Sequence, residues 1–257
     1  MKLLALGDVV GSSGCEFVRN RLPSIKKFYG IDLCIANGEN SAAGNGILPS
    51  SADHLFASGV DLITTGNHVF RRSEIFDYID ERNDILRPYN MHSSAPGKGV
   101  GIIDMGRYRV GVINLIGCSF SDRNYGNPFD CLDRATDQIK DCKIKIVDFH
   151  AEATGEKGAL AHYADGRVSV FFGTHTHVQT ADARILPKGT GFITDLGMCG
   201  AENSVLGVNP QNVIAALKTG MPTRFATADG EIIMDGCVFE IDDKTGLTVG
   251  VTPLRIK

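Results

Sequence analysis

The chain has 257 residues, with 26 Lys and Arg against 30 Asp and Glu and a formal charge of −4. It therefore lacks the clustered basic surface with which proteins grip long nucleic acid. Its content of 43% hydrophobic and 22% charged residues lies in the ordinary soluble range, and no apolar run approaches the roughly 20 residues of a membrane span. The length suits one large α/β domain or two small ones. With no linker, low-complexity tract or internal repeat in sight, residues 1–257 are read as a single domain.

The first apolar run, residues 2 to 6, ends at Gly7-Asp8. It is too short for a signal peptide and stops at an acid, so the expected compartment is the cytoplasm. Seven scattered cysteines without a CxxC pair agree, being read as reduced, packed thiols. Residues 31 to 36, 60 to 64, 99 to 105, 109 to 116, 143 to 149 and 168 to 173 are also apolar and bounded by Gly, Asp or Asn, which predicts strands. Helical patterns cover Cys15 to Phe28, Ser50 to Ala57, Arg72 to Glu81 and Pro128 to Ile139. Ile102 to Asn114 and Cys237 to Arg255 predict hairpins, turned at Gly106-Arg107 and at Asp242-Asp243-Lys244-Thr245-Gly246. Asn209 to Leu217, opened by Pro210 and followed by Gly220, predicts a further helix. Alternating strands and helices predict a layered α/β fold, and the hairpins make its sheets mixed.

Polar residues gather where these strands end. Asp8 follows Lys2-Leu3-Leu4-Ala5-Leu6-Gly7, at the place where open α/β sheets put their ligand sites. Glu39 and Asn40 follow Leu33-Cys34-Ile35-Ala36; a carboxylate can bridge two metals while an amide oxygen adds a neutral ligand. Asn67 and His68 follow Leu62-Ile63-Thr64-Thr65-Gly66, and neighbours in sequence diverge in direction, so Asn67 is assigned to metal and His68 to proton transfer. His175 and His177 are two apart in a segment expected to be extended, which would put both imidazoles on one face. His150 closes residues 143 to 149 with Asp148 on its side of the strand, from which a hydrogen bond could orient the ring. His54, His92 and His162 have no comparable setting and are read as packing or surface residues.

Taken in order, Gly7-Asp8, Asn37-Gly38-Glu39-Asn40, Gly66-Asn67-His68, His150 and Gly173-Thr174-His175-Thr176-His177 resemble the calcineurin-like metallophosphoesterase superfamily. The opening Met-Lys-Leu-Leu-Ala-Leu-Gly-Asp-Val-Val-Gly, the Ala36-Asn37-Gly38-Glu39-Asn40 block, the run through Val178-Gln179-Thr180 and Thr194-Asp195-Leu196-Gly197-Met198 are more closely similar to its YmdB-type bacterial phosphodiesterases. Position 10 departs from the superfamily, whose Asp-x-His motif here has Val10; Asn40 could replace the missing ligand. Glu39 stands where a bridging Asp is usual.

The resemblance implies a four-layer α-β-β-α sandwich of the metallophosphoesterase type with mixed sheets. It implies that Asp8, Glu39, Asn40 and His177 hold one metal, that Glu39, Asn67, His150 and His175 hold the other, and that His68 is the proton donor. It further implies two metal ions, iron first with manganese or zinc as alternatives, and hydrolysis of cyclic nucleotides, notably 2',3'-cyclic ones. A metal-bridging hydroxide would attack in line. No separate organic cofactor site is expected. The partners expected are a small phosphodiester or cyclic nucleotide substrate and a second copy of the chain in a homo-oligomer, with no membrane and no extended nucleic-acid surface.

Other readings differ in class. A metal- and nucleotide-binding regulatory protein would share the ligands with incidental hydrolysis, and a phosphomonoesterase of the same fold would differ in pocket shape, which loops such as Ser119 to Asn127 would set. A dinucleotide fold is disfavoured because the Gly7 to Gly14 loop does not follow G-x-G-x-x-G. A serine hydrolase lacks its G-x-S-x-G elbow, and a cysteine nucleophile has no supporting signature.

Overall fold

The computed structural model describes residues 1–43, 45–121 and 123–257. Its first strand, β1 (Lys2–Val9), sends Leu4 and Leu6 into one apolar cluster and Leu3 and Ala5 into another. Successive side chains of a strand point to opposite faces, so the sheet containing β1 is covered on both sides. In chain order there follow α1 (Gly11–Tyr29), β2 (Leu33–Asn37), α2 (Pro49–Ala57), β3 (Leu62–Thr64), α3 (Ile75–Asp80) and β4 (Ile85–Leu86). The middle of the chain forms β5 (Val100–Asp104), β6 (Arg109–Ile116), α4 (Pro128–Gln138), β7 (Ile144–His150), α5 (Thr154–Ala164) and β8 (Val170–Thr174). The remainder forms β9 (Arg184–Ile185), β10 (Gly191–Ile193), β11 (Met198–Ala201), α6 (Pro210–Thr219), β12 (Ile232–Ile241) and β13 (Thr248–Ile256).

The strands form two mixed sheets, ordered β13-β12-β11-β1-β2-β3-β4 and β5-β6-β7-β8-β10-β9. Leu3, Leu33 and Leu62 from the first meet Val112, Ile146 and Val170 from the second in an inter-sheet core. Val18 and Leu22 of α1 and Leu55 of α2 cover the outer face of the first sheet, while Leu132 of α4 and Leu160 of α5 cover the second. Three apolar cores separate four layers, the α-β-β-α sandwich with mixed sheets. Each of these fully buried leucines contributes about 1.5–3 kcal/mol.

The expected strands recur with ends shifted by at most three residues, and the hairpin between β12 and β13 recurs with its first strand starting five residues earlier, at Ile232. Other elements depart for physical reasons. The helix expected from Cys15 begins at Gly11, because Gly14 lets α1 press directly on the Cys199 carbonyl, a tertiary gain that outweighs poor helix propensity. The helix expected over Arg72 to Glu81 shrinks to α3. Helix α5 gives no clear periodic signal: it contains Gly155 and Gly158, and its buried positions include Lys157. Strands β10 and β11 are three and four residues long, too short for an alternating pattern to register. Among the described residues, no helix is long and apolar enough to cross a membrane.

Candidate metal centre

Strands β1, β2 and β3 run parallel in one sheet, and β6, β7 and β8 run parallel in the other. Their carboxyl ends meet at one rim, where open α/β sheets collect ligand sites. Asp8 is next to last in β1 and His150 is the last residue of β7, while Glu39, Asn67 and His175 follow β2, β3 and β8. Asp8, Glu39 and His150 are at most 1% exposed. Gly66 makes room for them, since a Cβ there would stand 2.5 Å from Glu39 Oε2 and 2.2 Å from Cδ2 and Nε2 of His150.

Every residue expected at the site is brought together. His177 Nε2 and Asn40 Nδ2 each lie 3.4 Å from Asp8 Oδ1, and Asn40 Nδ2 lies 3.3 Å from Glu39 Oε1. On the other side of Glu39, its Oε1 is 3.1 Å from His150 Nε2. That nitrogen is also 3.0 Å from Asn67 Oδ1 and 2.9 Å from His175 Nδ1. Two groups of donor atoms thus share one carboxylate. Glu39, His150 and His175 form a set able to hold an ion. His68 stands beside them, with Nδ1 3.2 Å from Asn40 Oδ1 and its backbone N–H donating to Glu39 Oε2 at 2.9 Å.

Two local expectations need correction. The segment carrying His175 and His177 is not extended: β8 stops at Thr174 and the two histidines have φ of 102° and 61°. The left-handed turn sends His175 towards His150 and His177 towards Asp8, so the rings reach separate groups rather than sharing a strand face. The expected Asp148 to His150 hydrogen bond is indirect. Thr174 Oγ1 donates to Asp148 Oδ1 at 2.8 Å and lies 2.9 Å from His150 Nδ1.

These outer partners set the imidazole tautomers, because the nitrogen engaged in donating carries the proton. With its own hydrogen committed to Asp148, Thr174 accepts from His150 Nδ1–H. His177 Nδ1 donates to the Leu206 carbonyl at 2.9 Å, and His175 Nε2 donates to Glu152 Oε2 at 3.1 Å. In their neutral forms the three rings therefore turn lone pairs inward. His150 Nε2 and His175 Nδ1 then face each other at 2.9 Å, alongside Asn67 Oδ1 and Glu39 Oε1. A single proton can serve only one of those pairs, whereas a divalent transition ion accepts this mixed N/O set. The residues fit a metal.

The electrostatics agree. Burial opposes ionisation of Glu39, yet the neighbouring His150 and a hydrogen bond with His68 hold it well below the usual carboxylate range. Asp8 is likewise lowered by His177 against its own burial. Burial disfavours charge on His150, but Glu39 and Asp8 raise it to about 9; His175, buried next to positive His150, falls to about 4. Two buried carboxylates held ionised by neighbouring imidazoles offer a cation two anionic donors.

Lys157 gives no signal in the sequence, and the sequence assigns Asp195 no role. Lys157 Nζ pairs with Asp195 Oδ2 at 2.7 Å, both side chains fully buried, and the same oxygen accepts from Thr176 N at 3.1 Å. That pair anchors the residue between the two histidines. Beside these residues opens a cavity of about 360 Å³ lined by His68, Arg71, Phe120, Arg123 and Tyr125. Phe120 is 87% exposed at its rim, and the buried Tyr125 hydroxyl has no hydrogen-bond partner among the described residues. Phe120, Arg123 and Tyr125 belong to the Ser119 to Asn127 loop expected to shape the pocket, of which Asp122 lies outside the described residues.

A model of the family described as YmdB-like protein matches residues 4–254. The chain is 43% identical over 257 residues to a 2',3'-cyclic-nucleotide 2'-phosphodiesterase of Bacillus subtilis, spanning 100% of this chain and 97% of that protein. The solved structure of a novel phosphatase from Mycoplasma pneumoniae superposes with TM-score 0.95 at 36% identity, covering 100% of this chain and 93% of the other. A hypothetical protein from Thermus thermophilus gives TM-score 0.94 at 38% identity, covering 100% and 99%. The 5'-nucleotidase precursor of the same organism shares the fold at 12% identity, with TM-score 0.59 over 100% of this chain and 54% of its own. By the family match and by relatives that run the full length of the chain, the protein is a YmdB-like metallophosphoesterase.

Proposed function

We propose that the protein is a dinuclear metal-dependent phosphodiesterase that hydrolyses cyclic nucleotides, 2',3'-cyclic ones first. The observation that carries this reading is the set of three imidazoles whose outer nitrogens are committed to Thr174, Glu152 and Leu206, leaving lone pairs converging on two buried carboxylates. Asp8, Glu39, Asn40 and His177 would hold one ion, and Glu39, Asn67, His150 and His175 the other. Iron is the first choice, and the donor set suits manganese and zinc as well. When bound, such ions polarise phosphoryl oxygens and lower the pKa of water.

The chain's own groups complete the chemistry. Asn40 ties the two halves together: an amide has nearly the same shape when turned over. With its oxygen facing Asp8 and His177, its Nδ2 would donate to His68 Nδ1 and leave the His68 proton on Nε2. Nε2 has no partner among the described residues and belongs to a ring that lines the cavity, so it is placed to protonate a leaving ribose oxygen. Arg71 and Arg123 offer charge to a phosphodiester there, and Phe120 offers a face for a base, worth about 1–3 kcal/mol.

The reading treats residues 1–257 as one working unit, supported by β12 and β13 completing the sheet of β1. A cytoplasmic home is supported by seven free cysteines, six of them buried. A homo-oligomer is supported by α6, which has no buried residue, carries exposed Leu217 and is followed by exposed Met221.

The test is metal analysis of anaerobically purified protein, with rates on 2',3'-cyclic AMP, bis-nitrophenyl phosphate and nitrophenyl phosphate. Bound metal and faster diester than monoester turnover are expected; neither metal nor turnover refutes the reading. His68→Asn should slow 2',3'-cyclic AMP hydrolysis by about 10²–10⁴, and a nitrophenolate-leaving diester far less. Equal losses on both would exclude His68 as the acid.

A further inference from the structure

A second cavity of about 570 Å³ lies on the far side of the substrate loop, lined by Arg87, Tyr89, Lys98, Asn124, Gly126 and Arg134 among others. Its lining contains three cationic side chains and, among the described residues, no carboxylate. Arg87 is the anomaly. It is only 6% exposed, yet no ion pair reaches it among the described residues. Its Nη1 donates to the Pro88 carbonyl at 2.8 Å, its Nε is buried without a partner, and its Nη2 donates to no described residue. Desolvation pushes its pKa down.

A buried guanidinium without a counter-charge is costly. The unpaired edge, Nε beside Nη2, is the edge of the planar fork that receives a carboxylate or phosphate through two parallel N–H bonds. Lys98 and Arg134 are held by neutral partners, Asn83 Oδ1 and Cys131 Sγ; Asp130 acts on Arg134 through space but does not line the cavity. The nearby Asp80 carboxylate accepts from Gly97 N and does not line the cavity.

We infer that this cavity is an anion site, separate from the metal centre, that takes a small dianionic phosphate ester on Arg87, with Lys98 and Arg134 supplying the remaining charge. The site shares a wall with the substrate cavity. Arg123 and Tyr125 face the substrate side while Asn124 and Gly126 face the second cavity. Asn90 clamps that wall, donating to the Gly126 carbonyl at 2.9 Å and to the Ile116 carbonyl at 2.7 Å. An occupant would therefore steady the loop that carries Phe120, Arg123 and Tyr125.

The test uses the full chain in chloride buffer, titrated with ribose 5-phosphate at matched ionic strength and followed by thermal unfolding. Tm should rise with the phosphate ester in the wild type and equally in Asp8→Asn, whose metal centre is crippled. The rise should vanish in Arg87→Met, which should unfold no earlier than the wild type in the absence of phosphate. Lys98→Gln and Arg134→Gln, both at accessible positions, should each weaken the half-saturating concentration at least tenfold. No rise in the wild type, a rise lost in Asp8→Asn, or undiminished binding in Arg87→Met or in both Gln variants overturns the proposal.

Discussion

Replacing Thr174 by Val keeps the shape of the side chain and removes one hydroxyl. That hydroxyl donates to Asp148 Oδ1 at 2.8 Å, contacts His150 Nδ1 at 2.9 Å and accepts from Asn37 Nδ2 at 3.3 Å. Asp148 is fully buried, and burial already raises its pKa to about 7. With the hydroxyl gone, the carboxylate keeps its hydrogen bond with Thr64 and the weaker Asn37 contact at 3.4 Å, and His150 Nδ1 has lost its acceptor. Leaving a buried polar group unsatisfied costs about 1–3 kcal/mol. The larger consequence is for the tautomer: without an acceptor on Nδ1, His150 Nε2 is no longer reserved as a lone pair. Losses of about 10–100-fold in metal affinity are typical when such an outer partner is removed. Manganese titration by calorimetry, together with turnover of bis-nitrophenyl phosphate, measures this. Thr174→Ser should recover most of the affinity. Metal affinity within twofold of the wild type in Thr174→Val would show that the hydroxyl does not set the imidazole.

Gly66→Ala should abolish metal binding while the fold persists, because the new methyl would collide with Glu39 Oε2 and the His150 ring; metal content and circular dichroism read the two separately. Lys157→Met should destabilise the protein by about 3–5 kcal/mol, since it strands the buried Asp195 carboxylate; urea unfolding checks this, and a loss under 1 kcal/mol, on the order of a surface pair, would contradict the burial. Asp182 is opposed by burial but lowered by hydrogen bonds from Thr194 and Thr180. A depressed folded pKa contributes stability above the unfolded value of about 3.9 and loses it as pH falls through the folded value. Asp182→Asn should therefore lower Tm near neutrality and narrow the gap to wild type on acidification; a gap independent of pH would contradict that linkage.

The positions of the site residues were legible because a buried strand and its exit differ so sharply in chemistry. Leu3 to Leu6 and Leu33 to Ala36 need apolar side chains on both faces, so the first polar residue after each run marks the rim. What could not be read is how those residues turn. His175 and His177 look like alternate positions of a strand, and only the positive φ at each, with Lys157 and Asp195 fastening Thr176 between them, sends them to separate groups. The Thr174 relay is invisible for another reason. It depends on β7 and β8 pairing so that His150 lies opposite Thr174, a register that no local pattern in either strand encodes.

Val10 brings the two kinds of information together. Its sequence position departs from the Asp-x-His pattern, and its packing shows what the valine touches: Val10 Cγ1 would stand 2.6 Å from a Cβ at Gly207, within the segment whose Leu206 carbonyl accepts from His177 Nδ1. An apolar residue at position 10 therefore closes the corner that orients His177, while Asn40, whose backbone carbonyl accepts from Gly11 N at 2.9 Å, occupies the polar place beside Asp8. The residue at position 10 and the ring of His177 are linked through one packing contact. Enlarging Val10 to supply an imidazole would disturb that ring.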